Sequence, residues 1–264
     1  MKRIFSILML ALIAAGCSQA SANSSYKKPD APERKCWYRE LPLYGDVESI
    51  TATRYTLEDK FGEITRSKTE DKTIYLLNEA GDVTKHINYN SDGSLNDKYI
   101  YKYDAAGNMT EGAQYDSDGR LDYKQICKYD DKGNVTEVAR YNSDGSRNYK
   151  YIYKYDDKGN KTELASYNSD DSLGNECIYK YDTAGNKTEE AWYNDDGSLY
   201  IKRIWKYDTT GNMTEEACYD DDSSLLETRI YTYDDVGNVT GWTEYDGEIM
   251  TPKEEVEWKI VYRK

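Results

Sequence analysis

Twenty-eight tyrosines and five tryptophans stand against two phenylalanines in this chain of 264 residues, so its aromatic surface nearly always carries a polar tip. Such side chains stack on sugar rings or polypeptide while donating a hydrogen bond, and they need a polar partner when buried. A glutamate series, Glu111, Glu137, Glu163, Glu189 and Glu215, recurs with the period of the tyrosines. The residues expected to face a ligand are Tyr101, Glu111, Tyr115, Glu137, Tyr153, Glu163, Tyr179 and Trp205. A ladder of repeated carboxylates suits structure or multivalent binding better than a single active site. The one histidine, His86, would have to serve any Ser/His/Asp triad. It is expected on an exposed face, and no catalytic residue is assigned. Cys36, Cys127, Cys177 and Cys218 have no CxxC spacing and read as free or loosely paired thiols filling strand positions. Acidic turns such as Asp116-Ser117-Asp118-Gly119 lack the spacing and closing Glu of an EF-hand and read as plain hairpin turns. No metal or cofactor is expected.

The elements that must position these residues follow from a 26-residue period. Tyr103, Tyr129, Tyr155, Tyr181, Tyr207 and Tyr233 are each followed by Asp, with Gly four residues on and a second Tyr twelve on, from Tyr115 to Tyr245. Each unit has two turn signals, Asp-x-x-Gly-Asn as at Asp104–Asn108 and a second as at Asn142–Ser146. Both fit a three-residue hairpin loop whose third residue is left-handed, where Gly avoids a Cβ clash. Asp171 and Ser223 stand in the Gly place of the second turn in two units. Counting outward from the turns pairs Tyr103 with Met109, Tyr101 with Glu111 and Tyr99 with Ala113, which sorts Tyr, Leu, Ala and the Glu series to one face and Lys and Thr to the other.

The expected fold is all-β: a tandem β-hairpin repeat array, an antiparallel meander curled or spiralled as a single sheet with a Tyr-rich inner face. Residues 41–264 form the repeat domain, with regular units over about 72–250 and degenerate caps at both ends; Trp258-Lys259-Ile260-Val261-Tyr262 reads as a closing edge strand. The tyrosine face is either a closed core or an open binding surface.

The tandem frame Tyr103-Asp104-Ala105-Ala106-Gly107, with five later copies, resembles the YD repeats of RHS proteins. That resemblance implies strand-turn-strand arrays wound into a β-shell, and carbohydrate binding in some members. The chain is short for enclosing a cargo.

Lys2 and Arg3, the apolar run Ile4–Ala15 and then Gly16-Cys17 have the layout of a secretory signal, too short to span a bilayer as a helix. Ala14-Ala15-Gly16-Cys17 resembles a lipobox, which implies a signal peptide over 1–16, a lipid on Cys17 and a flexible tether over 17–40. The expected location is the cell envelope, held to the membrane through the lipid anchor. A net charge of −14 works against binding to nucleic acid. The function expected is that of a non-enzymatic envelope lipoprotein, monomeric, acting as a scaffold or protein-binding repeat domain. The alternative is a carbohydrate-binding protein that uses tyrosine stacking, and a hydrolase is a remote third.

Overall fold

The computed structural model describes residues 33–38, 41–247 and 250–263. Two short strands, β1 (Glu33–Tyr38) and β2 (Leu41–Tyr44), form an antiparallel pair. Two long ones follow, β3 (Val47–Lys60) and β4 (Glu63–Leu77). The regular strands are β5 (Val83–Asn90), β6 (Leu95–Tyr103), β7 (Met109–Asp116), β8 (Leu121–Tyr129), β9 (Val135–Asn142), β10 (Arg147–Tyr155) and β11 (Lys161–Asn168). They continue as β12 (Leu173–Tyr181), β13 (Lys187–Tyr193), β14 (Leu199–Tyr207), β15 (Met213–Tyr219), β16 (Leu225–Tyr233) and β17 (Val239–Asp246), and the last strand is β18 (Thr251–Tyr262).

Strands β3 to β18 close into one barrel in which each pairs with its neighbours in sequence. This corrects the expected open, curled sheet. β18 is no edge: it pairs with β3 from Glu254↔Thr56 to Tyr262↔Val47. With sixteen strands in an antiparallel meander the first and last run in opposite directions, so they can complete the ladder and leave no edge in the barrel. The closure is hidden in the sequence because residues 47–74 lack the 26-residue frame. They read as an irregular cap, yet they supply two full strands.

The turns form as their residues dictate. At the first turn Asp104 N–H donates to Asn108 O at 2.9 Å and Gly107 N–H to Asp104 O at 3.1 Å, with Gly107 at φ +85°. Asp104 Oδ1 accepts from the backbone N–H of Ala106 and Asn108, and Oδ2 from the Asn108 amide. The bonds from Asn108 hold the Asp104 carboxyl below its ordinary range. The recurring Asn-x-Thr frame is thus explained by a turn lock. Asp171 and Ser223 occupy the same left-handed position, both at φ +64°. Replacing Ser223 with Gly is expected to stabilise the barrel by about 1 kcal/mol, the cost of a left-handed L-residue. Asp171→Gly should gain less, because Asp171 also pairs with Arg147 and Lys150 at 2.8 Å. Thermal melts of the two variants check this; an equal or larger gain from Asp171→Gly contradicts it.

One residue past each turn of the repeat the register slips. Tyr103 pairs with Met109, but Lys102 pairs with Glu111, leaving Thr110 as a bulge; likewise Tyr115 pairs with Leu121 and Gln114 with Tyr123, bypassing Asp122. A one-residue slip sends the remaining side chains of one strand to the opposite face. Tyr99 and Tyr101 therefore lie beside Gln114 and Gly112 rather than beside Ala113 and Glu111. Five of the six tyrosines that open the Asp-x-x-Gly-Asn turns serve this bulge: Tyr129 OH donates to Met109 O at 2.7 Å, and Tyr103, Tyr155, Tyr207 and Tyr233 make the same bond to the carbonyl 20 residues back.

The outer face is charged. Lys102, Lys128, Lys154, Lys180 and Lys206 pair with Glu111, Glu137, Glu163, Glu189 and Glu215 at 2.5–2.8 Å, the lysines about two-thirds exposed. Between these pairs and the outer lysines of the next row runs a single stripe of Ile and Ala, as in Lys124, Ile126, Lys128. Four residues of strand span about 13 Å, whereas a barrel that crosses a membrane needs an apolar band about 25 Å tall.

Candidate functional site

The inward face of the barrel falls into two levels. Towards the Asp-x-x-Gly-Asn turns it is apolar. Leu43 and Val47, from β2 and the start of β3, pack with Ile50, Val239, Trp242, Val256 and Trp258 and fill one sector, while Tyr101, Met109, Cys127, Val138, Tyr153, Leu164, Cys177 and Tyr179 fill another. Asn238 and Arg263 tie the strands together at this end. Asn238 is fully buried and bonds both backbone groups of Tyr44 and the Tyr262 hydroxyl. The Arg263 guanidinium donates to the carbonyls of Val47 and Leu77 and pairs with Asp46.

Nearer the second turns the wall becomes polar, and it differs between two arcs. From β13 round to β4 the inward positions carry interleaved acidic and basic side chains, with Glu244 and Glu254 side by side on β17 and β18. Glu190 lies 3.4 Å from Arg203 and 3.2 Å from Lys187; Arg203 lies 3.2 Å from Glu216. Arg229 meets Glu216, Glu227 and Glu244 at 3.6, 2.8 and 2.9 Å. Arg54 reaches Asp71 and Glu254, each at 3.3 Å. Cross-strand spacing makes such an arrangement possible, since inward residues on neighbouring strands sit side by side. Burial would raise the Glu190 carboxyl, but Lys187 and Arg203 overcome it and hold it low. In Glu227 burial prevails over Arg229, with Glu244 adding repulsion, and the carboxyl is raised.

From β5 to β12 the arc is aromatic and amide-lined. His86 sits 4.0 Å from the Tyr99 ring and its Nδ1 is 2.9 Å from the Tyr101 hydroxyl. The expectation of an exposed His86 is corrected: it pairs with Tyr75 and Tyr99 on the inward face, placed there by the slip between Leu76 and Leu77. Asn88 and Gln114 donate to Asp97, whose carboxyl is raised because burial outweighs those bonds. Gln125, Arg140, Tyr149, Ser166 and Asn175 continue the arc through β8–β12.

Of the residues proposed to meet a ligand, Tyr101, Tyr153, Tyr179 and Trp205 point inward and are buried in the apolar level. Glu111, Glu137 and Glu163 lie outside, each on a lysine. Tyr115 is outside too, beneath Lys98 at 5.5 Å. Cys17 falls outside the described residues. Cys127, Cys177 and Cys218 are free, buried thiols, which burial pushes up to about 12 at Cys127 and 11 at Cys218. Among the described residues no three His, Cys, Asp or Glu side chains converge to hold a metal ion.

Sequence reasoning missed the charged arc, Gln125 and Arg140. The signal available was departure from the repeat: Lys161 and Lys187 stand where Val83, Met109, Val135, Met213 and Val239 stand in other units, and both cover aromatic rings of the lumen.

No family model matches the chain, and no curated protein matches it. Among solved structures it is similar to a porin-like protein from Bacteroides uniformis ATCC 8492, with a TM-score of 0.52 at 13% identity over 81% of this chain and 96% of that one. A putative outer membrane lipoprotein-sorting protein domain from Vibrio parahaemolyticus and a LolA superfamily protein from Nitrosomonas europaea both match with a TM-score of 0.29, at 11% and 12% identity, over 81% and 83% of this chain and 85% and 87% of theirs. Scores that low carry no argument. The likeness to the porin-like protein is one of fold alone. It overturns the resemblance to RHS repeats: the tyrosine-aspartate frame here builds the wall of a closed sixteen-strand antiparallel barrel.

Proposed function

We propose that this chain is a non-catalytic cell-envelope protein that holds a small polar ligand, of saccharide type, in the lumen of its barrel. The observation that carries the reading is the lumen wall: an arc of Tyr and amide side chains opposite an arc of paired Arg and Glu, above an end closed by Leu43, Val47, Asn238 and Arg263. Aromatic rings beside amide donors and acceptors suit the faces and hydroxyls of a sugar. Sixteen strands give a barrel wide enough to leave space within. The charged exterior argues for a water-borne binding barrel rather than a pore, whatever the porin-like neighbour does. The leader and Cys17 favour attachment to an envelope membrane by lipid, and the closed ladder, free of barrel edges, favours a monomer. An alternative in which proteins dock on the outside has less support, because the outer rows are already engaged in Lys–Glu and Lys–Tyr contacts.

The test is titration of the full chain with a panel of neutral and acidic oligosaccharides, read by tyrosine and tryptophan fluorescence. Saturable binding that weakens at least tenfold in Tyr149→Ala and is unchanged in Tyr115→Ala supports the lumen. A panel without saturable binding, or a loss confined to Tyr115→Ala, overturns it.

A further inference from the structure

Among the described residues the lumen wall holds four inward arginines, and one differs from the rest. Arg54, Arg203 and Arg229 each face at least two carboxylates within 3.6 Å. Arg140 has no carboxylate partner among the described residues. Its guanidinium carbon lies 3.2 Å from the centroid of the Tyr123 ring and 5.6 Å from that of Tyr149, and its one hydrogen bond runs from Nη1 to the Tyr149 hydroxyl at 3.2 Å. Its Nε is buried with no acceptor. The Nε atoms of Arg54 and Arg203 also lack an aligned hydrogen bond, but each has a carboxylate oxygen at 3.3 or 3.2 Å to answer its charge.

Directly across the strand pair stands Gln125, which is 4% exposed and whose Nε2 is likewise buried with no acceptor. Its other strand neighbour is Gly112. A Cβ there would stand 3.1 Å from Gln125 Nε2 and 3.2 Å from the Tyr101 ring, so the glycine keeps the space over the amide open. In the other units this position carries His86, Val138, Leu164, Glu190, Glu216 or Trp242. Two adjacent buried donors without acceptors are rare in a folded protein, where such groups are nearly always satisfied. One of the two is a planar cation, its guanidinium carbon over an aromatic ring, with Nε left without an acceptor. That geometry matches a carboxylate or phosphate, which offers several acceptor oxygens and a compensating charge.

We propose that Gln125 and Arg140, framed by Tyr123, Tyr149 and Gly112, form an oxyanion-binding niche that takes the carboxylate or phosphate group of the lumen ligand. The proposal rests on the lumen reading for its biological ligand, and the niche itself can be tested apart from it. On the opposite wall the cations Arg54, Lys187, Arg203 and Arg229 are already engaged by carboxylates, so the niche would also set the orientation in which an acidic ligand lies.

The experiment uses the full chain with four probes: inorganic phosphate, acetate, glucuronate and glucose. Binding is read from the Arg140 Nε–Hε NMR signal and from fluorescence at constant ionic strength. The expected result is a saturable shift of that signal with at least one anion, and glucuronate binding at least tenfold tighter than glucose. Arg140→Gln should bring glucuronate to the level of glucose, while Arg120→Gln, in an exposed turn, changes nothing. An Arg140 signal unmoved by all three anions overturns the niche, even where glucose and glucuronate bind equally and the lumen reading survives. A signal that moves with phosphate or acetate while neither sugar binds upholds the niche and removes the saccharide reading. Phosphate alone or carboxylates alone as effective probes identify which oxyanion it takes. The wild-type NMR titration decides the matter if Arg140→Gln does not fold.

Discussion

Asn238→Ala is expected to destabilise the barrel by about 3 kcal/mol, whereas Asn186→Ala, at the same place in another unit, should cost less than about 1 kcal/mol. Among the described residues the Asn186 side-chain amide bonds only the Asp182 carboxylate of its own exposed turn, at 2.9 Å. Asn238 keeps the equivalent bond to Asp234, stretched to 3.4 Å, and adds three more: its Oδ1 accepts from Tyr44 N–H at 2.6 Å, and its Nδ2 donates to Tyr44 O at 3.2 Å and to the Tyr262 hydroxyl at 2.8 Å. It therefore joins β2, the β16–β17 turn and the end of β18, at a site with no solvent exposure. Hydrogen bonds contribute about 1 kcal/mol each, and removing the acceptor of a buried backbone N–H costs more than the bond itself. For a chain of this size 3 kcal/mol corresponds to a fall in Tm of roughly 6–12 °C. Thermal unfolding of the two variants, with hydrogen exchange at Tyr44 and Val47, measures the difference. Equal losses would mean that the closed end is held by the apolar contacts of Leu43 and Val47 alone.

That contrast also marks how far the repeat can be read from the chain. Turn chemistry was legible in detail, down to the left-handed Asp171 and Ser223, because a turn is decided by five neighbouring residues. The free thiols on β8, β12 and β15 followed from strand spacing in the same way. The faces were not legible, because a bulge is a choice between two pairings that differ by one residue and involve groups from two strands. Thr110 and Asp122 carry no local mark that they will be bypassed. The error propagates: it moved Glu111 and its equivalents inward and His86 outward, the reverse of what the barrel shows. Closure was lost for a different reason. It depends on β3 pairing with β18 across some 200 residues of sequence, and neither strand carries the frame that identifies the others. The candidate site was illegible from the repeat itself, since the shared residues build the wall and only the exceptions, such as Gly112, Gln125 and Arg140, distinguish one part of the lumen from another.

The second large effect is expected at Arg229. Arg229→Met should cost about 3 kcal/mol, while Lys206→Met, which also breaks a Lys–Glu contact, should stay within about 0.5 kcal/mol. Lys206 is 65% exposed on the outer face, where water solvates both partners once they part. Arg229 is 26% exposed and stands among Glu216, Glu227 and Glu244, the last only 6% exposed. Its removal leaves three carboxylates close together in the lumen with too few cations, and the methionine cannot compensate for their repulsion. The sign of the pH dependence separates this cause from lost packing. Burial already holds Glu227 above its ordinary value of 4.5, and without Arg229 it rises further. A carboxyl raised in the folded state destabilises the protein while it is ionised, and that penalty fades as pH falls through the folded pKa and is gone below the unfolded one. The stability gap between wild type and Arg229→Met should therefore narrow as pH is lowered towards 4.5, and the double variant Arg229→Met/Glu244→Gln should recover part of the loss at pH 7. Denaturant titrations across that pH range give both quantities. A gap that is constant with pH, with no recovery in the double variant, would assign the loss to the contact of Arg229 with the Trp242 ring instead of to the charge arc.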